Sequence, residues 1–65
     1  MKVNRNKLYL AMARKCMDTK DLVEKTGLPR PTINNAIVGK AVRPSTIGII
    51  SKALVVDVTD ILEQE

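Results

Sequence analysis

Arg30, Thr32, Asn34 and Asn35 place a guanidinium, a hydroxyl and two carboxamides within one short stretch of chain. These groups suit hydrogen bonding to flat polar edges better than bond cleavage. Arg matches the paired acceptors of guanine, Asn the donor and acceptor of adenine, and Thr either a base or a phosphate. Lys20, Lys40 and Arg43 flank that stretch and suit phosphate oxygens, contacts that add affinity without sequence information.

Catalytic chemistry is poorly supplied. The sequence has no His and a single Cys, so the common metal ligands, general base and nucleophile are nearly missing. No paired carboxylates fall on one expected face, and no glycine loop is available to cradle phosphates. The reading is a non-enzyme with no metal and no cofactor. Cys16 is read as inert, and Met12 and Met17 as core filler.

Charge points to a polyanionic partner. The net charge is +4, and its distribution says more than its sum. Between Glu24 and Asp57 there is no carboxylate, whereas Arg30, Lys40, Arg43 and Lys52 lie in that interval. Asp57, Asp60, Glu63 and Glu65 crowd the tail. The middle of the chain is therefore the expected contact surface. Lys2, Arg5, Lys7 and Lys52 are read as solubility charges.

Sixty-five residues allow one domain over 1–65, and a chain this short buries only about 60% of its unfolded surface. Its apolar residues are aliphatic, with Tyr9 the single aromatic, which suits packed helices better than a sandwich or barrel. One cysteine excludes an intrachain disulfide, and no apolar run reaches the ~18 residues of a membrane helix or has the flanks of a secretory signal. The expected setting is cytoplasmic, with no membrane partner.

The elements that must hold the polar stretch can be read from caps and breakers. Asn4 caps a first helix running to about Lys15, with Leu8, Ala11, Met12 and the aliphatic stem of Lys15 at helical spacing on one face and Tyr9 and Leu10 widening the stripe. Asp18 caps a second helix, Asp21 reaching back as in a capping box, and Gly27 closes it. Leu28 plugs the gap before a third helix over 31–38, whose inward residues are Ile33, Ala36 and Ile37. Pro31 should push Arg30 to the cap position, leaving the amides of Thr32 and Ile33 without partners and suited to a phosphate. After a loop over 39–44, Ser45 or Thr46 caps a fourth helix with Ile47, Ile50, Ala53 and Leu54 buried. Asp57 and Asp60 open a last short helix carrying Ile61 and Leu62. The stretch 55–59 has strand propensity but no expected strand to pair with.

Positions 18–38 thus form two helices joined by a short turn containing glycine, the arrangement of DNA-binding helix-turn-helix units. Here the sequence resembles the Cro and phage-repressor (XRE-type) family of transcriptional regulators. The matching residues are Leu22, Glu24-Lys25-Thr26-Gly27-Leu28, Thr32-Ile33, Gly39-Lys40, Ser45, Ala53-Leu54 and Asp60-Ile61-Leu62-Glu63. The resemblance covers nearly the whole chain. It implies an all-α, five-helix, lambda-repressor-like domain that binds double-stranded DNA, commonly as a homodimer on a two-fold symmetric operator. Thr19 stands where the family usually has Gln, Pro29 and Pro31 replace serines, and Cys16 and Val55 replace residues that are often Gly.

With Ile33, Ala36 and Ile37 inward, the third helix turns Arg30, Pro31, Thr32, Asn34, Asn35 and Val38 outward. Arg30, Thr32, Asn34 and Asn35 are the expected base contacts, and Lys20, Lys40 and Arg43 the phosphate contacts. A plainer alternative stands beside each: the Asn pair as solvated surface, Thr32 as a first-turn residue, Arg30 laid over Leu28. The alternative function is a helix-turn-helix scaffold for protein contact, antitoxin-like or adaptor. A homodimer would use the C-terminal helices or the fourth-helix surface, with Val55, Val56, Val58 and Ile61 as candidates, which equally could complete the monomer core.

Overall fold

A computed structural model describes residues 2–63; Met1, Gln64 and Glu65, the last counted above among the tail acids, lie outside the described residues. Four α-helices and a closing 3-10 turn follow one another along the chain. They are α1 (Arg5–Arg14), α2 (Thr19–Thr26), α3 (Arg30–Ile37), α4 (Pro44–Leu54) and the turn Val58–Asp60. The fold is all-α as expected, but the fifth helix shrinks to that single turn.

Local chemistry sets the first two helices. The Asn4 side chain accepts from the Lys7 N–H at 3.0 Å, satisfying an amide that α1 leaves open. Leu8, Ala11 and Met12 are buried. Tyr9 (48% exposed) and Leu10 (56%) do not widen the stripe, because each 100° step carries them round the helix into solvent. In α2 the capping box is complete: Asp21 N–H donates to Asp18 and Asp18 N–H to Asp21, both at 3.0 Å. Gly27, at φ 72°, ends the helix in the left-handed conformation that glycine adopts freely.

The proline-flanked helices begin earlier than the sequence reading has them. Pro29, not Arg30, is the N-cap of α3, and Pro31 lies in its first turn behind Arg30. Pro29 is held at φ −59° with extended ψ, so its carbonyl already faces the helix, and it accepts from Thr32 N–H (3.0 Å) and Ile33 N–H (3.2 Å). Likewise Arg43 caps α4, and neither Ser45 nor Thr46 does. Pro44 occupies the first helical position, where its missing N–H costs nothing.

A hydrophobic cluster gathers Leu8, Leu22, Ile33, Ile47, Ile50, Leu54 and Ile61, all fully buried. Leu28 and Ala53 are half-buried against it. Ser51, buried on α4, spends its hydroxyl on the Gly48 carbonyl at 2.9 Å. Residues 2–4 pair with residues 61–63: Asn4 N–H donates to Ile61 O at 2.8 Å, Glu63 N–H to Lys2 O at 3.0 Å, and Val3 bridges Leu62 antiparallel. That pairing leaves Val3 only 2% exposed, a core residue the sequence reading omits. No helix among the described residues is long and apolar enough to cross a membrane.

Candidate nucleic-acid interface

Packing of α3 against α2 fixes the candidate site. Gly27, Leu28 and Pro29 are the only residues between the two helices. Thr26 stiffens this turn: its hydroxyl donates to the Leu22 carbonyl at 2.7 Å and accepts from the Leu28 N–H at 3.2 Å. The inward face of α3 consists of Ile33, Ala36 and Ile37, all buried. Burial of those side chains decides what the opposite face shows.

Arg30, Asn34 and Asn35 are exposed, Thr32 is half-buried, and Val38, the C-cap, is 49% exposed. Helical spacing aligns Arg30, Asn34 and Val38 in one row, with Thr32 and Asn35 in the next. Thr32 and Asn35 line a shallow open cleft with Leu28, Ala41, Val42, Arg43 and Thr46. Two expected base contacts and one expected phosphate contact thus meet at one place. Lys20, on the first turn of α2, and Lys40, in the loop after α3, are exposed outside that cleft's lining.

One expectation fails. The amides of Thr32 and Ile33 are not available to a phosphate, because both donate to the Pro29 carbonyl. Shifting the cap by one residue makes Ile33 N–H the first regular helical donor and gives Thr32 N–H a tighter bond of the 3-10 kind.

Other residues of the site escape sequence reading. Ala41, Val42 and Thr46 complete the cleft, and Thr46 is buried despite its hydroxyl. Their role arises from the return of the chain after Gly39, at φ 85°, which local pattern does not encode. Arg5 is not an idle surface charge either: its Nε donates to the Ile37 carbonyl at 3.3 Å. With the partners 32 positions apart in sequence, no local signal could show it.

A short glycine turn, a second helix buried on one side and polar on the other, and a basic loop beyond it define a DNA-binding helix-turn-helix scaffold. A family model of the Cro/C1-type HTH DNA-binding domain matches residues 7–65, and the chain belongs to that family. No curated protein and no solved structure gives a significant match.

Proposed function

We propose that this DNA-binding domain recognises a specific duplex sequence by laying α3 in the major groove, and that it acts as a small transcriptional repressor or regulator. The observation that carries the reading is the exposure of Arg30, Asn34 and Asn35 together on a helix whose other face is buried. Arg30, Asn34 and Asn35 offer bidentate base contacts, each worth about 1–3 kcal/mol of discrimination, and Thr32 adds a base or phosphate contact. Lys20, Lys40 and Arg43 hold the backbone. Occupying a site excludes other proteins from it, so repression follows directly from binding. Such work belongs where the DNA is, in the cytoplasm, and needs no catalysis.

Protein docking is the weaker use of the same face. A docking face depends on large apolar or aromatic anchors at its centre, and α3 exposes only Val38 among its large hydrophobic residues.

Burial sorts the homodimer candidates. Ile61 is fully buried in the protomer and Val56 and Val58 are half-buried, so three of the four C-terminal candidates serve the core. Val55 (74% exposed) and Ile49 remain outward, with Ala53 between them along α4. The hollow at Val55 is lined by Asp21 and Glu24 as well as Lys15 and Lys25. Carrying both signs, this surface can meet a second copy of itself about a two-fold axis.

Selection of bound sites from a random duplex library tests both parts. Asn34→Ala and Asn35→Ala are expected to flatten base preference at one or two positions each, while Lys40→Ala weakens all sequences alike and lowers the salt slope by about 0.9. Recovered sites are expected to be inverted repeats. If both Asn variants lose only non-specific affinity, α3 is not the reading helix; if single half-sites are recovered, the dimer is wrong.

A further inference from the structure

The last turn of α3 distributes its carbonyls in a definite pattern. Lys40 N–H donates to the Asn35 carbonyl at 2.9 Å and Gly39 N–H to that of Ala36 at 3.2 Å, the paired bonds that close a helix through a left-handed residue. Val38 N–H takes the Asn34 carbonyl at 3.0 Å. This pattern leaves over the carbonyl of Ile37, and Arg5, at the first position of α1, supplies its donor.

The bond matters for two further reasons. The last turn of α3 contains no basic residue of its own, so the Arg5 guanidinium is the charge that offsets the partial negative end of the helix. At the other end Pro29 provides no side-chain cap. The fastening therefore sits at the end that carries Asn34, Asn35 and Val38.

We propose that Arg5 is a positioning residue for sequence recognition: through Ile37 it fixes the angle at which Asn34 and Asn35 meet the base edges. The inference rests on α3 being the reading helix. Arg5 itself touches no base, and its effect passes entirely through the placement of α3.

Arg5→Ala and Arg5→Lys are compared with the parent chain on a selected operator and on random duplex over a range of salt, with thermal unfolding followed in parallel. Arg5→Ala is expected to reduce the operator-to-random affinity ratio by about threefold to tenfold. Its affinity for random duplex and its salt slope should hold. Lys keeps a charge and a donor on a long stem, and should restore most of the ratio. A loss shared equally by both duplexes, with a salt slope shallower by about 0.9, would make Arg5 a phosphate contact and overturn the proposal. An unchanged ratio overturns it as well. Should the Ala variant not fold, Arg5→Gln, a donor without charge, carries the same comparison. Slow exchange of the Arg5 Nε–H in the free protein checks the bond to Ile37 independently. A protected Nε–H in a chain that binds no duplex would therefore sink the reading of α3 and leave the tie itself standing.

Discussion

Val55 stands at φ 56° and ψ 46°, and Cys16 at φ 55°, both in the left-handed region. That conformation costs an L residue roughly 1–2 kcal/mol, and a β-branched side chain tolerates it poorly. Both are positions where the resembling family often has Gly, so the resemblance made this strain legible and the residue types alone did not. Arg5 and Val3 were not legible, because their partners Ile37 and Leu62 lie at the far side of the sequence. Val55 is largely in solvent, so replacing it removes little burial. Val55→Gly is expected to raise stability by about 0.5–1 kcal/mol after the entropy cost of glycine, an increase of a few degrees in the unfolding midpoint of dilute protein. A lower midpoint would mean that Val55 holds contacts worth more than its strain.

Among the elements, those with a polar cap of their own were readable and those bounded by proline were displaced by a residue or more. Asn4, Asp18 and Asp57 each sit at the cap expected of them, since a side-chain oxygen two or three residues ahead of an open amide is a local signal. Before α3 the two prolines compete: the bias of Pro31 against a helical Arg30 yields to Pro29, which takes the extended cap position itself. The caps also set the response to acid. Asp18 is held below the usual carboxylate range mainly by the Asp21 N–H, and Asp57 mainly by the Thr59 N–H. A pKa lowered by folding contributes stability above the unfolded value, about 3.9, and that stability is lost as pH falls through the folded value. The unfolding midpoint should therefore hold from neutral pH down to about 5 and drop below about 4. Asp18→Asn combined with Asp57→Asn retains capping oxygens that do not titrate, and is expected to flatten that drop. An equally steep drop in the double variant would assign the acid sensitivity to other groups.

At the scale of the whole molecule, two long-range facts complete what periodicity begins. The buried stripes of the four helices follow their 3.6-residue pattern, so the main inward residues could be read in order. The pairing of residues 2–4 with 61–63 and the cleft between α3 and the loop over 38–43 could not, because both arise only once the helices are packed. The result is a small helical body with the exposed Asn34 and Asn35, Arg30 and Arg43 on or beside one helix, and with Asp57 and Asp60 at the closing turn. The central claim is that the outward face of α3 meets DNA. Titration of isotopically labelled protein with a selected operator duplex at low salt, followed by amide resonances, tests it most directly. The account predicts that the side-chain carboxamides of Asn34 and Asn35 and the backbone amides of residues 30–43 move most. Silence there, with the largest changes along Ile49, Ala53 and Val55, would contradict it.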